Sequence, residues 1–103
     1  MRREVVNGVD AEVAETFAER AVGLMGRRGL EKGRGLLIPR CNCVHTFFMR
    51  FPIDATFLDG KNRVVRTVRG VRPWRPLVWG GWRARKVLET ASETAGPKEG
   101  KEE

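Results

Sequence analysis

The amino-acid sequence predicts a mainly β domain, a small barrel or sandwich of short and mostly antiparallel strands, with one short α-helix near the N-terminus. Short runs of β-branched and aromatic residues recur along the chain, and Gly, Pro, Asn or Asp residues separate them. One stretch around Arg20 changes from a strand period to a helical period. The 103 residues fit a single domain, which we assign to residues 1–90.

A β-hairpin and the helix are the first predicted elements. Asn7 and Gly8 lie between two β-prone runs, and both residue types tolerate the positive φ that a two-residue hairpin turn requires. Thr16 and Glu19 form a capping-box pattern, in which a hydroxyl and a carboxylate satisfy the first amides of a helix. Apolar residues follow at helical spacing, so we predict a helix over residues 17–26.

The remainder of the chain predicts several short strands with turns between them. Residues 71–79 contain Pro73 and Pro76, which restricts them to an edge strand or an extended loop. Residues 83–90 are compatible with a last strand or a short helix. The other predicted strands cover residues 36–38, 43–49, 53–58 and 63–68.

Composition and charge limit the functions and the location. The net charge is +7 at pH 7, whereas residues 91–103 are small, polar and acidic and predict a disordered tail. No apolar run approaches the roughly 18 residues of a membrane helix, and no secretory signal is recognised, so we predict a cytoplasmic protein. The chain has one His and one Ser, which argues against a Ser-His-Asp hydrolase.

The stretch from Lys61 to Lys86 carries nine basic residues, no acidic residue and three tryptophans. Arginine forks match phosphate groups, and exposed indoles stack on bases. We therefore predict a non-enzymatic binding module for an anionic ligand, a nucleic acid or an acidic protein. The residues that this hypothesis assigns to binding are Arg66, Arg69, Arg72, Trp74, Arg75, Trp79, Trp82, Arg83 and Arg85.

The alternative interpretation of this stretch is a solvated basic face. Arginines recur at every third position from Arg63 to Arg75, so a strand directs them to alternate faces. The tryptophans then belong to the core, with arginine stems covering them.

Cys41, Cys43 and His45 alternate in the sequence, so on a strand all three side chains would point to one face. Thiolates and imidazole are ligands for zinc or copper, and Asp54 or Asp59 is available as a fourth ligand. A thiol-imidazole pair for nucleophilic chemistry is another alternative for the same residues. The alternative is inward packing of two small thiols. Because the chain has no second Cys or His pair, no cofactor is predicted, and zinc is the alternative.

Asp54 follows Pro52 and precedes an apolar stretch. A carboxylate among so many arginines is expected to pair with one, and Arg50 is the nearest in sequence. A functional carboxylate is the alternative.

Three segments of the chain form a recognisable series. They are Thr16–Arg27 with Leu30; Gly35–Ile38 with Val44–Asp54 and Phe57–Asp59; and Ala84 with Val87–Glu89. Together they resemble the domain of unknown function 192 family, over roughly residues 5–90. The resemblance implies a compact, largely β domain with one short helix, and it implies no established reaction, ligand or cofactor. It also groups His45, Thr46, Met49 and Asp54 as a cluster that is either a site or a structural corner.

Two departures from the family pattern have structural consequences. Phe48 stands where members of the family usually carry Gly. Gly allows backbone conformations that a residue with a side chain seldom adopts, so the backbone conformation at position 48 is open to question. After Glu89 the chain lacks the usual Gly-containing turn and closing strand. An exposed sheet edge follows, and with it a third hypothesis, an interaction or scaffold module that uses this edge.

Overall fold

A computed structural model describes residues 2–92 of the chain. Its single short helix, α1, lies between the second and third of eight strands. The elements are β1 (Arg2–Val6), β2 (Val9–Val13), α1 (Phe17–Val22), β3 (Arg34–Pro39), β4 (Cys43–Val44), β5 (Ile53–Leu58), β6 (Val64–Val71), β7 (Val78–Trp79) and β8 (Lys86–Ala91).

Six strands form one sheet in the order β1-β2-β3-β8-β5-β6, and β4 pairs with β7 in a separate two-stranded sheet. The β2–β3 pair is parallel and the other described pairs are antiparallel. The mainly β prediction is therefore confirmed. The six-stranded sheet is open, with β1 and β6 at its edges, so the described strands close no barrel.

Local signals locate the first elements. Asn7 and Gly8 adopt φ values of 53° and 78° in the turn between β1 and β2. Thr16 accepts the Glu19 N–H, and the Glu19 side chain accepts the Thr16 N–H, which completes the capping box. The helix is shorter than the predicted range, because Gly23 takes a φ of 51° and the chain continues in turns.

Some predicted strand boundaries were wrong. The predicted strand over residues 43–49 is regular only at Cys43–Val44, since Phe48 adopts a φ of 64°, which a strand does not allow. Residues 83–90, which the sequence assigns to either a last strand or a short helix, contribute most of strand β8, which lies between β3 and β5 in the sheet. The second strand of the β5–β6 hairpin extends to Val71, three residues beyond the predicted end.

The six-stranded sheet has an apolar cluster on each face. β-strand alternation assigns neighbouring residues to different clusters, as for Phe57 and Leu58 on β5. On the face that carries Phe57, residues from outside the six-stranded sheet complete the core. They come from the segment after α1, from the two-stranded β4–β7 ribbon and from the residues that flank this ribbon in the chain. These residues are Leu24, Val44, Met49, Val78 and Ala84.

Two sequence predictions concern the chain after β8. The predicted tail begins at residue 91, but β8 continues through Ala91 and Ser92 is buried. Residues 93–103, which would contain the rest of that tail or a closing strand, lie outside the described residues. Within residues 2–92, no helix has the length and apolar character that crossing a membrane requires.

Gly80 shows how closely the ribbon approaches the sheet. A Cβ atom at this position would overlap the ring of Phe57, which is fully buried in the core of its sheet face. The absence of a side chain at Gly80 therefore sets the distance between the ribbon and β5.

Substitution Gly80→Ala should lower the free energy of unfolding by about 1–3 kcal/mol, because the added methyl group forces the Phe57 ring to move. Urea unfolding followed by circular dichroism measures the change. Gly60→Ala is the matched control, since nothing lies within contact distance of a Cβ at Gly60. Equal stability of the two variants would contradict this account of the ribbon.

Candidate functional site: an aromatic ribbon and an adjacent cavity

The β4–β7 pairing continues beyond the two short strands. We call residues 42–48 and 74–82 the aromatic ribbon. Beyond β4, the Thr46 N–H donates to the Arg75 carbonyl at 2.9 Å, and the Trp74 N–H donates to the Thr46 carbonyl at 2.7 Å. The two sides of the ribbon are therefore bonded to each other along most of their length.

Thr46 is the main connection between these two sides. Its side chain is buried, and its hydroxyl donates to the Arg72 carbonyl at 2.7 Å while accepting the Arg75 N–H at 2.7 Å. Both capacities of the hydroxyl are used by the backbone. Of the cluster that the family resemblance grouped, Thr46 is thus a structural corner.

Phe48 and Trp74 present their rings to solvent from a strained backbone. Their φ values are 64° and 71°, a region that bulky side chains seldom occupy. Their relative exposures are 60% and 56%, and their ring centroids lie 4.7 Å apart. The Phe47 ring centroid lies 6.0 Å from that of Trp74 and 5.2 Å from that of His45.

The other two tryptophans form a second exposed cluster. Trp79 on β7 and Trp82 meet edge to face with centroids 5.1 Å apart, and Trp82 is 81% exposed. The interpretation of the tryptophans as core residues is therefore wrong. All three indoles lie at the surface of the ribbon.

Arginines lie beside both aromatic clusters in the chain. Arg72 is exposed and has no carboxylate partner among the described residues, and the same holds for Arg83. Arg85 donates to the Trp82 carbonyl at 3.2 Å. By contrast, the arginines of the β1–β2 hairpin are paired with acids, as Arg3 is with Asp10 at 3.2 Å.

The two arginines of β6 do not join one surface. Arg66 is the register partner of Phe57, on the sheet face that carries the first core cluster. Arg69 lies beside Asp54, where both residues line a shallow depression on the other face. Alternation along the edge strand thus separates them, as the arginine spacing predicts.

The predicted Cys-His strand face was wrong. Only Cys43 lies on a strand, as the partner of Trp79, whereas Cys41 and His45 lie outside it. The Cys41 thiol donates to the Cys43 carbonyl at 2.9 Å, and burial raises the pKa of this thiol. His45 is exposed, and its Nδ1 accepts the Phe47 N–H at 3.1 Å.

The carboxylates considered as further ligands are engaged elsewhere. Asp54 accepts the Gly70 N–H at 2.9 Å, and no Arg50 pair forms. Asp59 accepts two backbone N–H groups and the Arg63 guanidinium, and the Arg63 N–H contributes most to lowering the pKa of Asp59 to about 2. Within residues 2–92, no three His, Cys, Asp or Glu residues are placed to hold a metal ion.

A cavity of about 200 Å³ lies beside the ribbon, between the α1 region and the sheet. Cys41, Cys43, His45 and Met49 all line it, so the structure brings these predicted residues together without Asp54. Sequence reasoning missed the charged lining residues Arg20, Arg40 and Glu89. Of these, only Glu89 carried a sequence signal. The available signal was strand alternation, because Glu89 follows the buried Val87 by two residues on β8.

Glu89 is only 3% exposed. Its carboxyl group makes no hydrogen bond or ion pair within the described part of the chain. Burial raises the pKa of this carboxyl from its ordinary value of 4.5 to about 8. At neutral pH, Glu89 is therefore mostly a neutral acid that can donate a hydrogen bond.

Comparison with known proteins identifies relatives of this chain. The family model named DUF192, described as an uncharacterised conserved family, matches residues 2–101. The UPF0127 protein PH1112 of Pyrococcus horikoshii is 37% identical over 87 residues, which cover 78% of this chain and 70% of that protein. A UPF0127 protein of Thermococcus sibiricus is 37% identical over 83 residues, covering 77% of this chain and 53% of its own length.

A solved structure shares this fold. It is a protein of unknown function from Novosphingobium aromaticivorans, with a TM-score of 0.74 and 22% sequence identity. The match covers 92% of this chain and 84% of that protein. At this identity, the likeness shows the fold alone.

Substitution Thr46→Val should lower the free energy of unfolding by about 1–3 kcal/mol, because it leaves the Arg72 carbonyl and the Arg75 N–H without their buried partner. Thr56→Val on β5 is the control, since this half-buried threonine makes no such bridge. Chemical denaturation measures both variants. A Thr46→Val loss no larger than that of the control would show that the hydroxyl does not connect the ribbon.

The raised pKa of Glu89 makes stability depend on pH. The unfolded carboxyl ionises above about pH 4.5 while the folded one stays protonated, so the free energy of unfolding should fall as pH rises from about 4.5 to about 8. The slope from this group is at most about 1.4 kcal/mol per pH unit. Glu89→Gln should remove this contribution in denaturation curves across that pH range. An unchanged slope in the variant would exclude Glu89 as its source.

Proposed function

Because the chain belongs to the uncharacterised DUF192 family, we propose its function from its own surface. It is a non-enzymatic binding module for an anionic partner. The partner that fits the aromatic ribbon is a flexible single strand of nucleic acid, with bases on the exposed rings and phosphates on the neighbouring arginines.

One observation carries the proposal, namely the strained display of Phe48 and Trp74. A left-handed backbone costs roughly 1–2 kcal/mol at each non-glycine residue, and the exposed rings recover little of it by burial. Strain of this kind concentrates at functional positions. A glycine would fit the backbone at position 48 better, so the ring itself supports a role in binding.

The spacing of the two ring clusters suits an extended ligand. Trp74 and Trp79 are five positions apart, which spans at most about 17 Å of extended chain. A single strand can follow a groove and stack successive bases on such platforms without regard to sequence.

The charge distribution favours the same class of partner. From Lys61 to Lys86 the chain has no acidic residue, and Arg63 is paired with Asp59, which lies just before this stretch. Such a field attracts any polyanion, an acidic protein included. The rings distinguish the partners, because bases stack on them and aspartate or glutamate side chains do not. The cytoplasmic location stays a prediction from the sequence.

Oligodeoxythymidine should quench the tryptophan fluorescence of the protein at low salt. Trp74→Ala should weaken its binding by about 5- to 150-fold, which corresponds to 1–3 kcal/mol for one stacked base. Phe48→Gly should weaken binding without destabilising the fold, because Gly relieves the left-handed strain. Fluorescence titration and thermal unfolding measure the two effects.

Salt dependence separates phosphate contacts from general attraction. Arg72→Gln should reduce the slope of log K against log salt by about 0.7, the contribution of one phosphate contact on a single strand. Lys61→Gln removes the same charge at the far end of β6 and should leave the slope unchanged. Failure to bind at low salt overturns the proposal. If polyglutamate binds as tightly as oligodeoxythymidine, and if the Trp74 and Phe48 substitutions leave the binding unchanged, then the proposal of a nucleic-acid partner is overturned.

A further inference from the structure

We propose that the cavity between the α1 region and the sheet binds a small organic carboxylate. The carboxylate end lies at Arg20 and Arg40, and a hydroxyl or carbonyl at its far end bonds to the carboxyl group of Glu89. This site is separate from the proposed function of the aromatic ribbon and does not depend on it.

The cavity has the size and lining of a site for a short molecule. Its volume of about 200 Å³ is below the usual range of pockets for drug-sized ligands, which start near 300 Å³. A chain of a few carbon atoms fits the apolar part of its wall. That part consists of Ala21, Val22, Leu24, Met25, Ile38, Val44 and Met49.

Two arginines provide the anion-binding end. Arg20 and Arg40 both line the cavity and both donate to the same acceptor, the Glu15 carbonyl, at 3.3 and 3.4 Å. The Glu15 carboxylate is occupied by Arg2 at 2.6 Å. Within the described residues, neither Arg20 nor Arg40 has a carboxylate partner, so two converging guanidinium groups lack a counter-ion.

The backbone conformation of Arg40 supports a binding role for this residue. Arg40 has a φ of 56°, which is uncommon for a residue with a long side chain. It stands between the end of β3 and Cys41, whose thiol belongs to the same cavity wall. The strained residue is therefore the one that brings a guanidinium group to the cavity.

Glu89 provides the second polar end. An almost completely buried carboxyl group without a partner costs stability, and another residue of similar size would avoid that cost. With its pKa raised to about 8, the group donates one hydrogen bond and accepts another at neutral pH. A ligand hydroxyl or carbonyl satisfies this pattern.

The charges select an anion rather than a cation. Arg20 and Arg40 on the wall repel an amine, and they attract the carboxylate of an acid. The other titratable groups that face Glu89 in this cavity are Cys41, Cys43 and His45. A short hydroxy acid or oxo acid therefore matches both ends of the cavity.

The experiment titrates the full chain with 4-hydroxybutyrate, butyrate, 1-butanol and butylamine by calorimetry. We expect saturable binding of 4-hydroxybutyrate, weaker binding of butyrate, and none of the alcohol or the amine. Arg20→Gln and Arg40→Gln should each weaken binding about 10-fold or more, the effect of one charged hydrogen bond. Arg28→Gln, an exposed arginine outside the cavity lining, should leave the affinity unchanged.

The pH dependence identifies Glu89. Wild-type affinity should fall about 10-fold per pH unit above about pH 8, as Glu89 ionises beside the anionic ligand. Glu89→Gln keeps a donor and an acceptor, so it should still bind and lose this dependence. Cys41→Ser removes the neighbouring thiol titration and should retain the dependence. The absence of saturable binding by either acid at millimolar concentration overturns the proposal, as does binding that is indifferent to the two arginine variants.

Discussion

The proposed binding surface of this protein depends on a buried hydroxyl group. Thr46 is bonded to the backbone on the other side of the ribbon through its side chain and through both of its own main-chain groups. The neighbouring Phe48 and Trp74 have positive φ values, and this bonding constrains the backbone around them. Presentation of the rings is therefore a property of a rigid ribbon, so little conformational entropy is lost when a ligand binds.

The distribution of acidic residues determines where positive charge remains available. Carboxylates of the first strands pair with arginines beside them, and Glu12 bonds to both Arg3 and Arg27. After the β5–β6 turn, where Asp59 pairs with Arg63, no acidic residue follows until Glu89. Glu89 is itself buried and mostly protonated at neutral pH. The ribbon half of the molecule is thus positive because its acids are absent or neutral.

Short sequence patterns predicted the structural features that depend only on residues close together in the chain. Asn7-Gly8 specifies a turn, and the Thr16 capping box specifies a helix start, because each pattern meets its own hydrogen-bonding needs. The exposed rings and the cavity could not be predicted this way. Whether Trp74 is core or surface depends on a bond to Thr46, many residues away, and the isolation of Glu89 depends on which side chains face it from α1 and the chain after β3. Strand alternation alone could have placed Glu89 on the core face.

The two proposed sites share part of the aromatic ribbon, because Cys43 and His45 belong to the ribbon and also line the cavity. They differ at two adjacent residues, since Phe48 is exposed on the ribbon and Met49 is buried and lines the cavity. A change of the Phe48 ring is therefore expected to alter the ribbon surface and to leave the cavity lining unchanged. The two sites share the backbone that Thr46 holds, and the Met49 N–H donates to the Thr46 carbonyl at 3.1 Å. Loss of that corner must disturb both sites, since it removes the support of the rings and of the cavity wall together.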